Sequence, residues 1–435
     1  MIFKDKLKSF NKTINIEGDK SLSIRWVLLA SLANGKSRSH NLLMSEDVIA
    51  SIETIKKFGI KVKVKKRVCE IHGKGINGYQ IKKNHLINAK NSGTLARLIL
   101  GLLVNYSNKI KLIGDQSLSK RDFFRVAYPL SKFGVKFKLN QNKKLPLTMI
   151  GTKSLKPIKF VENRGSAQCK SSIIFAGLKT EGTTFIKAKK SRNHTELLCK
   201  YLKLPLKVKN KKNYDLIEVK KAQKIKPLNY KIPSDISSAA FFIVLTGLSN
   251  NSKLLIKNVN INPSRIGIIT ILKKMGVNIQ FKNKKNYKGE LVADISITTA
   301  EKLKPINCPP KLNSGAIDEF LIIFLVAAKA NGVSYFKDIG ELNQKESPRL
   351  KWGAKILSKM GIKTITTDSS IKIFGNHNLK ISKKIVIKDY LKDHRVFMTS
   401  VIAASVFGGT WNIHDKDSIK TSFPTFLDIV KDLKK

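Results

Sequence analysis

Cysteine is scarce in this chain, acidic residues are few, and no apolar run is long. The four cysteines, Cys69, Cys169, Cys199 and Cys308, fall at no paired spacing. That argues against a disulfide framework and against a zinc site. Reduced thiols are expected, with Cys169 a small packing residue and not a nucleophile. The longest apolar stretches, such as 320–328, stop well short of the ~20 residues a bilayer-spanning helix needs. The start, Met1-Ile2-Phe3-Lys4, lacks an apolar signal core, so the expected compartment is the cytoplasm, without a membrane partner. Only 30 Asp and Glu face 83 Lys and Arg, a formal net charge of +53. A dedicated nucleic-acid surface would concentrate arginine with interleaved aromatics. Here lysine is spread over every exposed helix and hairpin, as in a lysine-rich proteome. No specific nucleic-acid partner is expected, and the charge steers small anions toward the protein.

What is present is a repeat. Six short polar stretches, each opening an apolar helix, recur roughly every 70 to 80 residues. They are Asp19-Lys20-Ser21-Leu22-Ser23-Ile24-Arg25, Asn91-Ser92-Gly93-Thr94, Ser166-Ala167-Gln168, Pro233-Ser234-Asp235, the segment from Asn313 to Asp318, and Asp393-His394-Arg395. A helix start exposes free N–H groups and the positive dipole end, a ready anion site. Six of them point to a protein that gathers anionic substrates.

A second repeat has the same period. A Gly or Leu-Pro turn leads into a short alternating strand at 59–64, 134–139, 204–208, 276–281 and 361–366. Each follows an amphipathic helix, such as 47–58 or 350–360. Helix, glycine cap, then period-two alternation reads as helix–turn–strand. The sixth helix, 424–433, has no strand after it, and 7–16 is expected to supply the missing one. With 435 residues there is room for two domains. The Pro-flanked segment 224–233 is the expected linker. The expected domains are 17–231 and 1–16 with 232–435, three repeats in each, and a cleft between domains is a usual ligand site.

Several local readings follow. Lysine-rich 207–212 and 282–288 read as solvated turns. Ser21 is expected to cap the first helix, and Ser347-Pro348 reads as a capping hydroxyl before a first-turn proline. Asn193 to Glu196 has capping-box spacing. Gly73-Lys74-Gly75-Ile76-Asn77-Gly78 matches a dinucleotide-binding glycine pattern, but no helix is expected after it. A tight hairpin between 68–71 and 79–83 is the reading.

Lys20 and Arg25 span the first turn or so of a helix and can hold two anionic groups. With them, in order, come Asn91 to Thr94 with Arg97, the segment from Gly114 to Arg121, Ser166-Ala167-Gln168, Asp318-Glu319, Lys345-Glu346-Ser347-Pro348-Arg349 and Asp393-His394-Arg395. This ordered set closely resembles the 3-phosphoshikimate 1-carboxyvinyltransferases, or EPSP synthases, and more closely the second of their two bacterial sub-patterns. The resemblance covers essentially the whole chain. It implies an α/β protein: a two-domain inverse α/β barrel of the enolpyruvyl transferase type, six repeated units, three per domain, closing on its substrates. It implies transfer of the enolpyruvyl group of phosphoenolpyruvate to the 5-hydroxyl of shikimate 3-phosphate, without metal or organic cofactor. A monomer is expected, and so is inhibition by glyphosate.

The resemblance also implies roles. Asp318 resembles the base on the 5-hydroxyl, Glu346 the group handling the methylene proton, and Lys20 the lysine touching both substrates. Shikimate 3-phosphate is assigned to Lys20, Ser21, Arg25, Ser166, Ala167, Gln168, Arg192, Asp318 and Lys345. Phosphoenolpyruvate is assigned to Lys20, Asn91, Gly93, Arg121, Gln168, Arg349 and Arg395. Two departures stand out. A histidine common before Arg25 is Ile24 here. The aspartate usual before Arg349 is Pro348, which removes a negative partner able to orient that arginine. The sister transferases acting on UDP-N-acetylglucosamine carry a catalytic cysteine in the loop corresponding to 114–121, where this chain has none.

Overall fold

The computed structural model describes residues 1–435 except Asp5, Gln141 and Lys435. The chain divides into two compact units. One comprises Gly18–Ile232 with Lys288–Glu290, the other Met1–Glu17, Pro233–Tyr287 and Leu291–Lys435.

In the Gly18–Ile232 unit, three helices form the centre: Lys20–Ser31, Gly93–Leu102 and Ala167–Gly177. All ten residues of Gly93–Leu102 are buried, the polar Thr94 and Arg97 included, so the helix is packed on every side. Three four-stranded sheets cover them. The strands run, in spatial order, Tyr230–Lys231, Asn34–His40, Val68–Lys74, Lys61–Lys65; then Asn84–Asn88, Lys109–Ile113, Leu147–Ile150, Lys136–Leu139; then Lys159–Glu162, Thr183–Lys189, Tyr214–Lys220, Leu206–Asn210. Strands such as Tyr214–Lys220 alternate buried and exposed residues, so one face meets the core and the other solvent.

The other unit repeats the plan with central helices Ile236–Leu248, Phe320–Lys329 and His394–Phe407. Its apolar core runs through all three and includes Phe241, Phe324, Val401, Trp411 and Phe426. No described helix is long and apolar enough to cross a membrane.

The strand assignments show how the chain is closed. Asn11–Asn15 pairs in parallel with Lys253–Asn260, Asn11 opposite Lys253. Tyr230–Lys231 pairs in parallel with Asn34–His40. Each therefore joins the sheet of one unit although it leads into the first central helix of the other. The segment 7–16 does not complete the sixth repeat as expected. Ile2–Phe3 does, antiparallel to Thr410–Ile413.

Three local expectations are corrected. Asn278–Tyr287 is one long strand through the exposed Lys282, Lys284 and Lys285, not a turn there. Lysines 207 and 209 likewise lie in the strand Leu206–Asn210. Val68–Lys74 forms its hairpin with Lys61–Lys65, while 79–83 is not a strand. Gly73 and Lys74 end that strand, and 75–78 is a turn, Gly78 N–H donating to Gly75 C=O at 3.0 Å.

Gly101 sets the spacing of two central helices. A Cβ there would lie 2.2 Å from the Ser172 carbonyl oxygen, backbone that cannot turn aside. Gly101→Ala is expected to destabilise the protein by about 1–3 kcal/mol, the range for overpacking. Urea unfolding of wild type and variant measures this; an unchanged midpoint would show that the two helices do not meet so closely.

Candidate functional site

In the Gly18–Ile232 unit the predicted residues gather at the starts of the three central helices. Asp19 caps the first, its Oδ1 accepting from Leu22 N–H at 2.9 Å, so the cap is not Ser21. Lys20 lies 3.1 Å from Asp47 Oδ2. Arg25 is buried, donating through Nε to Thr195 Oγ1 at 2.7 Å, through Nη1 to Ser21 C=O at 3.1 Å and through Nη2 to Ser171 Oγ at 3.2 Å. Ser92 caps the second helix and Ser166 the third. Ala167 is the first residue of that third helix.

Gln168 links two helix starts. Its Oε1 accepts from Arg97 Nη1 at 2.6 Å, and its Nε2 donates to Thr94 Oγ1 at 3.0 Å. The Arg97 guanidinium also stands over the Phe123 ring, 5.1 Å from its centroid. Arg121 donates to Asn91 Oδ1 at 2.9 Å, and Asn91 in turn donates to Asp115 Oδ2 at 2.8 Å. These neutral groups orient both guanidiniums. Gly93 is what lets Arg121 come close: a Cβ there would lie 2.8 Å from Arg121 Nη1 and 3.1 Å from Arg97 Nη1. Arg192 is half-buried in the loop before helix His194–Tyr201. The capping box expected there does not form. Asn193 makes no side-chain cap bond, and Glu196 Oε1 sits 2.6 Å from the buried Lys170 Nζ.

In the other unit, Asp318, Lys345, Glu346 and Arg349 form one cluster. Asp318 Oδ1 is 3.3 Å from Lys345 Nζ and 3.4 Å from Arg349 Nη1. Glu346 Oε2 accepts from Arg349 Nη2. The buried partner of Arg349 is Asp393, which accepts from Nε at 2.9 Å and from Nη2 at 3.2 Å. Asp393 also accepts from Ser347 Oγ at 2.8 Å and from Arg395 N–H at 2.9 Å. Ser347 therefore does not cap its helix, and Pro348 is the cap residue. The negative partner lost at Pro348 is thus supplied from 393. Burial works against the Arg349 charge, but Asp393, Glu346 and Asp318 together raise its pKa. Burial likewise opposes ionisation of Asp393, and Arg349 outweighs it, so its pKa is lowered.

Arg395 donates to the Asp318 backbone carbonyl at 2.6 Å and lies 3.5 Å from Glu319 Oε1. Glu319 also accepts from Ser237 Oγ. Arg265 holds Ser237 Oγ at 2.7 Å and Asp235 Oδ1 at 3.1 Å. Sequence reading missed Asp393, Glu319, Asp47, Thr94 and Arg265 as site members. Their signal lay in the helix-start stretches for Asp393, Glu319 and Thr94; nothing marked Asp47 or Arg265. Among the described residues no group of three His, Cys, Asp or Glu could hold a metal ion. Burial pushes the Cys169 thiol up to about 12, so it stays protonated near neutrality.

Removing the Asp393 charge leaves Arg349 buried beside fewer carboxylates. Asp393→Asn is expected to cost about 3–5 kcal/mol, as when one partner of a buried pair is lost. The Asp393 pKa is lowered on folding. Its contribution is therefore complete above about pH 4, the unfolded carboxyl value, and is lost as pH falls through the lower folded value. Chemical denaturation of wild type and variant from pH 3 to 7 checks this. A stability gap that does not narrow as pH falls below about 4 would contradict it.

The family model for EPSP synthase (3-phosphoshikimate 1-carboxyvinyltransferase) matches residues 4–430. A curated 3-phosphoshikimate 1-carboxyvinyltransferase of Caldicellulosiruptor bescii is 37% identical over 429 residues, 98% of this chain and 97% of the relative. A solved EPSP synthase from Acinetobacter baumannii has a TM-score of 0.87 at 32% identity, covering 99% of this chain and 97% of that one. The enolpyruvyl transferase NikO from Streptomyces tendae shares the fold, with a TM-score of 0.78 at 13% identity over 99% of this chain and 97% of that one. A single family model across both units, a curated relative aligned nearly end to end and a solved structure with the same architecture agree: this chain belongs to the EPSP synthase (3-phosphoshikimate 1-carboxyvinyltransferase) family.

Proposed function

We propose that this chain transfers the enolpyruvyl group of phosphoenolpyruvate to the 5-hydroxyl of shikimate 3-phosphate, in aromatic amino acid (chorismate) biosynthesis. The hydroxyl oxygen adds to C2 of phosphoenolpyruvate, an enol phosphate, while C3 gains a proton. The tetrahedral intermediate then loses a proton from that carbon together with inorganic phosphate. We assign removal of the hydroxyl proton to Asp318 and the proton at C3 to Glu346. The observation that carries these roles is that both carboxylates meet the same Arg349 guanidinium. An acid and a base fixed on one rigid cation can serve the addition and the elimination in turn.

We assign phosphoenolpyruvate to Lys20, Asn91, Gly93, Arg121, Gln168, Arg349 and Arg395. Shikimate 3-phosphate falls to Lys20, Ser21, Arg25, Ser166, Ala167, Gln168, Arg192, Asp318 and Lys345. The helix starts at Lys20, Gly93 and Ala167 add their dipoles to these cations. Arginines already held by neutral amides and hydroxyls pay little to reorganise around a leaving phosphate. The buried, unpaired thiols Cys69, Cys169, Cys199 and Cys308 fit the cytoplasm, and we place a working monomer there.

Phosphate release separates this reading from its rivals. The purified chain is expected to release phosphate with phosphoenolpyruvate and shikimate 3-phosphate, and not with UDP-N-acetylglucosamine as acceptor. Release with the sugar nucleotide alone, or with neither, would overturn it.

Asp318→Asn and Glu346→Gln are each expected to lower turnover by about 10²–10⁴-fold, the usual loss for a positioned proton-transfer group. A folded variant with near-normal turnover would remove that residue from its role.

Glyphosate is expected to inhibit competitively against phosphoenolpyruvate. The methyl group of Gly93→Ala would press on Arg121 Nη1, 2.8 Å from the new carbon. The longer inhibitor has less room to shift than phosphoenolpyruvate. Its inhibition constant should rise about tenfold or more while KM rises less, since selective clashes discriminate between ligands. Equal rises in both, or a resistant wild type, would contradict this.

A further inference from the structure

The Gly18–Ile232 unit has a cavity that neither substrate assignment uses. It holds about 240 Å³ and is lined by Asn77, Asn105, Tyr106, Lys153, Leu155, Lys179 and Lys221. These residues follow the central helices Gly93–Leu102 and Ala167–Gly177 or the ends of sheet strands. The assigned substrate residues of this unit lie instead at the starts of its central helices, apart from Arg121 and Arg192 in loops.

Lys179 is the built part of this cavity. It is only 7% exposed. Its Nζ donates to the Ile76 carbonyl at 2.7 Å and to Asn105 Oδ1 at 3.1 Å. It also stands 4.9 Å from the Tyr106 ring centroid and 6.0 Å from that of Tyr79. Asn105 is fixed in turn, its Nδ2 donating to Asn77 Oδ1 at 2.8 Å. An ammonium has three donors; among the described residues two oxygen acceptors meet Lys179, and the Tyr106 ring, not a carboxylate, stands on a further side. Lys153 adds a second cation, 6.0 Å from the Tyr106 ring centroid. Lys221 adds a third, paired with the exposed Glu181.

We propose that this cavity is a binding site for a small anion bearing a phosphate or carboxylate group, separate from the enolpyruvyl transfer site. Three lysines converge on it, and among the described residues the one acidic group paired with them is Glu181, on Lys221. The volume is several times the ~30 Å³ share of one water, so there is room for a solute of phosphate size. A buried cation without a full set of partners is costly, and an anion in the cavity removes that cost. Burial lowers the Lys179 pKa to about 7, and the Lys153 charge adds to the effect. A bound anion pushes it back up.

That restored basicity makes the site readable by acylation, because only the neutral amine reacts. Acetic anhydride is applied to the full chain at pH 7 and constant ionic strength, and labelling at each lysine is read by mass spectrometry. The arms are chloride, inorganic phosphate and pyruvate. Labelling of Lys179 is expected to fall about fivefold in phosphate or in pyruvate, as a rise of one pKa unit dictates. The exposed Lys207 should not change. Protection by phosphate alone assigns a phosphate site, and protection by pyruvate alone a carboxylate site. In Lys153→Gln the anion concentration giving half-protection of Lys179 should rise about fivefold. Turnover and protection of Lys20 should stay as in wild type. Equal labelling of Lys179 in all three arms would overturn the proposal. So would protection unaltered by Lys153→Gln, which would place the anion elsewhere.

Discussion

The Asp393–Arg349 pair is the constraint on which one unit's functional cluster rests. Burying a guanidinium costs several kcal/mol unless its charge and its donors are met. Asp393 meets both, accepting from Nε and Nη2 in a bidentate arrangement. The same carboxylate accepts from Ser347 and caps helix His394–Phe407. One side chain thus ties the Lys345–Arg349 segment to the start of a central helix. Asp318 and Glu346 then meet an arginine whose position is already fixed. This is the preorganisation that proton transfer within a small site requires.

The other unit reaches the same end by different means. There the guanidiniums of Arg97 and Arg121 are oriented by Gln168 and Asn91. Gln168 in turn bridges to Thr94 on the neighbouring helix. That bridge depends on two central helices lying close together, which Gly101 permits. Glycine acts twice on one helix: at Gly93 it admits an arginine, and at Gly101 it admits the Ser172 backbone. Core spacing and site geometry are therefore the same constraint seen at two ends of a helix.

Much of this was legible in the sequence because it is local. Helix starts, glycine turns and alternating strands repeat with a fixed period, and each signal lies within a few residues. The six-unit, α/β, two-domain architecture followed from that repeat and from the resemblance it carries. What local pattern hides is exchange. Nothing within 11–15 tells that it pairs with 253–257 and not with the sheet of the sixth repeat, since both sheets belong to the same unit. The same limit misled the cap readings. Ser347 and Glu196 have good capping positions, but a buried Asp393 and a buried Lys170 compete for them and win. Arg349 and Asp393 stand 44 positions apart, so the partner that offsets Pro348 could not be found by reading near the motif. Lys179 had no signal either, because a lysine among so many gains meaning only from its burial.

The central claim is that Asp393 holds Arg349 in place where Pro348 cannot. A double-mutant cycle on Asp393→Asn and Arg349→Gln, read in kcat/KM for phosphoenolpyruvate and in unfolding free energy, measures that coupling directly. The two substitutions are predicted to be strongly non-additive, with a coupling of about 1.5–3 kcal/mol in both readouts. Effects that add to within about 0.3–0.5 kcal/mol would mean the residues act independently, and would contradict the account.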